Sequence, residues 1–319
     1  MKRILKKKAA SANGPTLRKE GWIHNIRRNY PLYLMILPPL IILIVFSYIP
    51  MLGAQIAFRN YRIVDGIWGS KWVGLDHFAR FFASSQFGRL MKNTLSLSVW
   101  SLIANTIFPI ILALMLNECR NRFVKKALQM FSYAPYFIST VVLVAMMYGF
   151  LYTGNGLFNV LIEKFGGESI NFIGNSEYFL ELYVWSGTWQ MTGFNSIIYL
   201  AALSGVSSEL HEAALMDGAS KFRRIRTIDL PHILPTAVTL FILNVGNILR
   251  VGFEKVYLMQ NDQNMLISEV ISTYVYKTGI TNQQYSYATA VNFFNSLVGL
   301  ILILIVNSIA KRVNDTSLW

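Results

Sequence analysis

The sequence has few cysteines, histidines and acidic residues. Its 319 residues include one cysteine and four histidines, and 16 Asp and Glu stand against 29 Lys and Arg. One cysteine excludes an intrachain disulfide and a cysteine-rich metal site, and the four histidines show no metal-ligand spacing. A Gly-Lys-Ser/Thr phosphate loop is also missing from the sequence, so we expect that the chain does not hydrolyse ATP itself. We therefore predict no catalytic residue, no metal and no cofactor in this chain.

The chain is strongly apolar, with 54% hydrophobic residues, 14% charged residues and a mean hydropathy of +0.41. A soluble domain of this composition would be unusual, so we expect a polytopic membrane protein. A helix needs about 20 apolar residues to cross about 30 Å of hydrocarbon. Six segments meet that requirement and predict an all-α fold with six transmembrane helices: residues 32–58, 94–116, 131–152, 179–203, 233–251 and 288–310.

Two of the six predicted helices contain residues that disturb a regular span. The first contains Pro38, Pro39 and Pro50, which predict a kinked or broken helix. The fourth contains Ser, Thr, Gly, Gln and Asn between residues 186 and 195. Because polar groups are costly in hydrocarbon, we expect that this helix does not face lipid on all sides.

The formal charge of +13 is concentrated beside the apolar segments. Such an excess can indicate nucleic-acid binding, but the positive-inside bias of membrane proteins explains it here, so we expect membrane lipid and no nucleic acid as partners. This bias predicts that both termini and a loop at 204–232 are cytoplasmic. The predicted division is a basic tail at 1–29, a first helix and extracellular entrance region at 30–93, a core at 94–312 and a tail at 313–319.

The loop at 212–231 is predicted to form a helix, a turn and a second helix. Glu212 to Met216 are good helix formers, Gly218 can turn where a Cβ would be strained, and Pro231 is expected to end the second helix. Small apolar side chains on the first helix suit a shallow groove of another protein, and three residues offer charges to its rim: Arg223, Arg224 and Arg226. The alternative is a solvated basic loop that faces anionic lipid.

This loop also carries a spaced pattern: Glu212-Ala213-Ala214, three residues, Gly218, nine residues, and then Ile228-Asp229-Leu230-Pro231. The pattern resembles the cytoplasmic signature of binding-protein-dependent ABC importer permeases. Residues 72–78 and 93–95 resemble carbohydrate permeases of the maltose-permease type. Other motifs resemble permeases for polysaccharides or complex oligosaccharides: residues 251–257, 271–276, 285–290 and 317–319. Asn292-Phe293 departs from the pattern, because a glycine is expected there.

The resemblance implies a type I ABC importer permease fold in the bacterial cytoplasmic membrane, working by alternating access. It implies a second, homologous permease, two copies of an ABC ATPase that binds ATP and Mg, an extracellular solute-binding protein and an oligosaccharide substrate. A permease heterodimer is expected, and a homodimer stays open. Glu212 either makes a polar contact with the ATPase or only lies favourably near a helix start. The residues assigned to ATPase coupling are Glu212, Ala213, Ala214, Asp217, Gly218 and Pro231.

A passage for sugars needs amides and aromatic rings, because sugars have hydroxyl groups at their rims and C–H bonds on their faces. Polar groups at membrane depth need a partner or water, so they should point into the protein. Hydrogen bonding between helices is the alternative role of each amide. Eight residues of the last three predicted helices are candidates: Trp185, Trp189, Gln190, Asn195, Asn244, Asn247, Asn292 and Asn295.

Three other functions are alternatives. A permease for amino acids, phosphate or polyamines would share the coupling loop, but the carbohydrate-type motifs argue against it. An ion-gradient-driven secondary transporter would need an inverted repeat and buried carboxylates, and the predicted helices offer almost none. An intramembrane enzyme would need a serine–histidine, paired-aspartate or histidine–glutamate constellation, which the predicted helices lack.

Overall fold

The fold was obtained as a computed structural model that describes residues 28–249 and 252–314. The predicted tails at 1–29 and 313–319 fall almost wholly outside these residues. The described chain is mostly helical, which confirms the all-α prediction. Its strand pairing is one short antiparallel ladder, in which β1 (Arg59–Asn60) pairs with β2 (Lys71–Trp72). Internal packing separates the chain up to Ala54 from a second unit that begins at Gln55.

The helices are numbered in chain order, and each bound is that of the structure. Helices α1 to α7 are Tyr30–Phe58, Gly66–Gly69, Asp76–Phe82, Phe87–Glu118, Arg122–Tyr133, Thr140–Leu151 and Leu157–Lys164. Helices α8 to α14 are Ser176–Leu203, Ser208–Met216, Lys221–Gly246, Phe253–Met259, Met265–Ser268, Ile271–Tyr276 and Tyr285–Asn314.

Four helices of the described chain are long and apolar enough to cross a membrane: α1, α4, α10 and α14. The segment Arg122–Phe137, which contains α5, passes the same test together with α6, but the two halves are bent by 100°. Helix α8 has 28 residues and is long enough to span, although its polar residues make it less apolar than the others. Each of the six predicted segments therefore coincides largely with helix among the described residues, and the third is broken.

The prediction of one regular helix at 131–152 is wrong. The chain forms a short 3₁₀ turn at Ala134–Phe137 and is extended at Ile138 and Ser139 before α6 begins. Pro135 suits the start of a helical turn but not a helix interior. The Ser139 hydroxyl then accepts a hydrogen bond from Val142 N at 3.3 Å and caps the new helix.

The expected stop at Pro231 is also wrong, because α10 runs through this residue from Lys221 to Gly246. A π-helical turn at Ile225–Asp229 precedes the proline, and Leu230 N donates to Ile225 O. Helix α1 repeats the arrangement, with a π turn at Ile44–Tyr48 before Pro50. The wider π turn shifts the hydrogen-bond register, so the proline ring, which lacks an N–H, fits where a regular helix would break.

Helix α4 contributes to each of the three hydrophobic clusters formed by the described residues. Leu97 packs with residues of α6, α8 and α11, and Leu90 packs with α3, α13 and α14. Near the other end of α4, Ala113 packs with Tyr199 of α8 and Ile233 of α10. Helices α8 and α10 are thereby held beside α4, and the cleft described below is formed between these three helices.

Side chains of the carbohydrate-type motifs hold the end of the molecule that carries β1 and β2. The Asn93 amide donates to Leu266 O and Glu269 O, both at 2.9 Å, and the Thr94 hydroxyl accepts from Ile271 N at 3.0 Å. Ser286 accepts from Tyr61 N at 2.8 Å. These motifs therefore have a structural role that their sequence pattern alone does not reveal.

Candidate coupling surface and passage

The turn at Gly218 is built from local hydrogen bonds. Helix α9 starts at a Ser207 cap and ends where Gly218 N donates to Leu215 O at 3.0 Å and Ala219 N donates to Ala214 O at 2.8 Å. This pair of bonds is a Schellman motif, which requires a left-handed residue after the helix. Gly218 meets that requirement with φ +74°, and a Cβ added there would have open space around it. The turn needs glycine for its backbone conformation alone.

A second cap starts the next helix directly after the turn. The Ser220 hydroxyl accepts a hydrogen bond from Arg223 N at 3.3 Å. His211 Nε2 of α9 lies 3.2 Å from Oδ1 of the fully buried Asp229 of α10. We call residues 207–231, with these two caps and this contact, the coupling element. Its two helices are thereby fixed relative to each other.

Most of the residues predicted for ATPase coupling are exposed. Glu212, Ala213, Asp217, Gly218 and Pro231 face outward, and Ala214 is half-buried. Two large apolar side chains of the same surface were not predicted: Met216 at 89% exposure and Phe222 at 74%. Their position in the sequence, beside the Gly218 turn, could have indicated that they belong to this surface.

One of the three rim arginines does not lie on the rim. Arg224 is buried, with 7% of its surface exposed, whereas Arg223 and Arg226 are exposed. Burial of Arg224 follows from its place on the side of α10 that carries the buried Asp229. A charged rim can therefore use only the other two arginines.

A polar cleft of about 350 Å³ lies between α4, α8 and α10. Three of the predicted passage residues line it, namely Asn195, Asn244 and Asn247. Three further polar residues of α4 line the opposite wall: Ser98, Ser101 and Asn105. These three were not predicted, although their spacing of three and then four residues marks one face of an apolar helix. We call the cleft that these six side chains line the amide cleft.

The amides of the cleft have hydrogen-bonding capacity to spare. Asn247, which directly follows α10, donates to Leu243 O of that helix at 3.2 Å. Within the described chain, the side chains of Asn195 and Asn244 have no hydrogen-bond partner, and Asn105 Oδ1 is buried without one. Because unpaired amides at membrane depth are unfavourable, they need water or a polar ligand in the cleft.

The other five predicted passage residues lie elsewhere. Gln190 donates to Ile138 O at 2.7 Å, and Asn295 donates to Leu249 O at 3.2 Å, so both amides connect segments of the fold. Asn292 is exposed outside the amide cleft. Trp185 and Trp189 are about half exposed and line more apolar clefts. The structure therefore brings together three of the eight residues.

The site has no arrangement for a metal. Among the described residues, no group of three or more His, Cys, Asp or Glu side chains could hold a metal ion. What the site offers is an exposed helix–turn–helix surface and a polar cleft between apolar helices. These features define a multi-pass membrane transport protein of the permease class.

Comparison with known proteins agrees with this class. The family model for the "Binding-protein-dependent transport system inner membrane component" matches residues 105–315. The chain is 45% identical over 302 residues to the polygalacturonan/rhamnogalacturonan transport system permease protein YteP of Bacillus subtilis, covering 95% of this chain and 94% of that protein. It is 42% identical over 299 residues to protein LplB of the same organism, covering 94% of each.

A solved structure shares the fold. A chain in the crystal structure of a bacterial alginate ABC transporter, in complex with an alginate pentasaccharide-bound periplasmic protein, superposes with a TM-score of 0.87 at 37% identity. The match covers 94% of this chain and all of that chain. The chain therefore belongs to the family of binding-protein-dependent transport system inner membrane components, the permease subunits of ABC importers. It is a transport subunit and not an enzyme, and ATP hydrolysis belongs to a separate subunit.

Proposed function

We propose that this permease lines one half of a passage for oligosaccharides or polysaccharide fragments, formed together with a second, homologous permease. The observation that carries the proposal is the amide cleft, whose Asn195 and Asn244 side chains have no partner in the described chain. Amides can donate to and accept from sugar hydroxyls and so replace their hydration. YteP by its name, and the alginate transporter by its title, handle polysaccharides, which supports this substrate class.

The coupling element provides the link to ATP. Two copies of an ABC ATPase would bind the importer, with ATP and Mg on those subunits, and this chain would dock one copy through α9 and the start of α10. Met216 and Phe222 supply apolar surface for such a contact, and Arg223 and Arg226 supply charge at its edge. Closure of the ATPase pair would move the coupling element and switch the passage between outward-open and inward-open states.

The arrangement in the membrane follows from the same assignment. With the coupling element in the cytoplasm, both termini are cytoplasmic, and the end that carries β1 and β2 faces outward. An extracellular solute-binding protein would deliver the substrate to that end. The alginate transporter was crystallised with such a periplasmic protein, which supports this partner.

Uptake by the reconstituted importer tests the proposal. Proteoliposomes that contain this permease, its second permease and the ATPase would be given the binding protein, ATP and labelled oligogalacturonides or alginate oligosaccharides. Replacing Asn195→Leu and Asn244→Leu together should lower ATP-driven uptake about tenfold or more, because each change removes a hydrogen bond to a sugar hydroxyl. ATP hydrolysis without substrate should remain.

Asn292→Leu is the matched control, because this exposed amide lies outside the cleft. It should leave uptake unchanged. Equal uptake by the double variant and the unmodified importer would refute the passage assignment. Uptake driven by an ion gradient without ATP would refute the coupling to an ATPase.

A further inference from the structure

Helix α5, Arg122–Tyr133, presents its apolar face outward. At helical spacing, Phe123, Val124, Ala127, Leu128, Met130 and Phe131 share one face. Phe123 is 87% exposed and Phe131 is 73% exposed. On the opposite face, Lys125, Gln129 and Ser132 are half-buried, whereas Arg122 and Lys126 are exposed. A water-soluble protein would bury such a face, so its exposure here points to an apolar medium around it.

The direction of α5 indicates which medium that is. The spanning helix α4 ends at Glu118, four residues before α5 begins. The segment Arg122–Phe137 then makes an angle of 100° with α6, which continues the crossing. With 12 residues, α5 is about 18 Å long and too short to span. A helix of this length, set at this angle to a spanning segment, fits a position along a membrane boundary and not one across it.

Charge at the start of α5 points to the lipid headgroups. Four basic residues lie at or just before its first two turns: Arg120, Arg122, Lys125 and Lys126. Residues 119–133 contain no Asp or Glu. None of the four forms an ion pair with any residue in the part of the chain that the structure describes. Long basic side chains beside an apolar helix face can reach phosphate groups at the membrane surface.

The far end of α5 contacts the helix that forms one wall of the amide cleft. The Ser132 carbonyl packs so closely against Gly193 of α8 that a Cβ at Gly193 would overlap it. Gln190, one turn earlier on α8, holds the following connection through Ile138 O. A change in how α5 lies at the membrane would therefore reach α8, which carries Asn195.

We infer that α5 is an in-plane membrane anchor whose apolar face enters the hydrocarbon boundary and whose basic end binds acidic phospholipid headgroups. This anchor goes beyond substrate transport and does not depend on which solute the importer carries. Amphipathic helices of this type bind acidic lipid through buried apolar area together with attraction of their basic residues. Acidic phospholipid is thereby expected to stabilise the position of α8.

Depth-resolved quenching on the assembled importer tests the apolar half of the proposal. Cys119 is the chain's only cysteine, so a Cys119→Ser background allows one label at a time. Val124→Cys and Lys126→Cys are a matched pair, because both residues are exposed, lie two apart and face opposite sides of α5. In vesicles of phosphatidylcholine and phosphatidylglycerol, the label at 124 should be quenched by spin-labelled acyl chains and the label at 126 by an aqueous quencher.

Quenching of both labels from water would overturn the anchor. A second result would also overturn it. In that result, the label at 124 is shielded from both quenchers in the assembled importer and becomes accessible to lipid only when the other subunits dissociate. That second result would mean that another protein covers the apolar face of α5.

Lipid selectivity tests the basic half. The association constant of spin-labelled phosphatidylglycerol relative to phosphatidylcholine would be measured on the assembled importer. Part of this relative association constant is due to lipid bound at α5. Arg122→Gln and Lys126→Gln should each lower that part about fivefold. Lys71→Gln in β2 removes one charge far from α5 in sequence and should leave that part unchanged. An equal loss in all three variants, or none in any, would contradict headgroup binding by α5.

Discussion

The coupling element and the amide cleft are built in different ways. The two serine caps, the Schellman turn and the contact of His211 with Asp229 that shape the coupling element all join residues within a stretch of about two dozen. The amide cleft is formed by side chains of three helices that are far apart in the chain. A local element can change without loss of the fold, whereas a cleft between helices depends on how the whole bundle packs.

The largest expected effect is at Gly193. A side chain at this position overlaps backbone atoms of Ser132, which cannot move aside as a flexible side chain could. Gly193→Leu should therefore separate α5 from α8 and destabilise the fold by about 3 kcal/mol or more. The check is the thermal unfolding midpoint of the purified permease, together with the amount that remains in membranes.

Gly149→Ala is the matched control, because a Cβ at this glycine of α6 meets nothing within 4 Å. Alanine is the better helix former, so this change should be neutral or stabilise by up to about 1 kcal/mol. Similar damage from both substitutions would show that the close contact of α5 with α8 is not what makes Gly193 necessary.

The next effect concerns the Gly218 turn. Gly218→Val forces a β-branched residue into a positive φ, which costs about 1–3 kcal/mol and should open the Schellman motif. We expect the ATPase to be lost on co-purification while the second permease stays bound, because only the coupling element is disturbed.

Gly218→Asn tests whether position 218 requires a particular backbone conformation or requires the absence of a side chain. Asparagine tolerates a positive φ better than other side chains, and a Cβ at this position has room. ATPase binding should be largely kept in this variant. Equal loss with Asn and Val would mean that the ATPase contacts Gly218 itself and that backbone conformation is not the main requirement.

Leucine variants of the buried Asn295 and the half-buried Asn195 should distinguish an amide with a structural role from an amide that lines the passage. Asn295→Leu removes the hydrogen bond to Leu249 O and leaves that carbonyl without its partner, so we expect a loss of about 1–3 kcal/mol in unfolding free energy. Asn195→Leu breaks no hydrogen bond within the described chain and should not lower stability. Thermal unfolding of the two variants decides this, and a larger loss for Asn195→Leu would reverse the assignment.

The smallest effect is at the Ser220 cap. Ser220→Ala removes the acceptor of Arg223 N and should weaken the first turn of α10 by about 1 kcal/mol. Hydrogen exchange should become faster at residues 221–224 and remain unchanged in α9. Ser208→Ala is the control, because Ser208 lies inside α9 and the capping residue there is Ser207.

The local parts of the fold were the more predictable ones. Gly218 makes the turn that the sequence predicts, because a glycine after a helix is a local signal. The stop at Pro231 was wrong because the π turn before it is set by hydrogen-bond register, which a proline rule does not include. The break near Ser139 was missed because Pro135 lies in an otherwise apolar run.

The amide cleft was only partly predictable. Asn244 and Asn247 share a helix face, so their proximity follows from spacing alone. Gln190 and Asn295 have the same side-chain chemistry, yet tertiary packing places a backbone carbonyl beside each of them. Which amides are used within the fold depends on contacts between distant segments, and one sequence does not specify those contacts.

The most direct test of the central claim is protection of a cysteine in the amide cleft by substrate. In the Cys119→Ser background, Asn244→Cys and Asn292→Cys would each be placed in the complete importer and exposed to a small thiol reagent during ATP-driven transport. Oligosaccharide with its binding protein should slow modification at 244 and leave 292 unaffected. Protection at 292 alone, or at neither position, would contradict a sugar passage through the amide cleft.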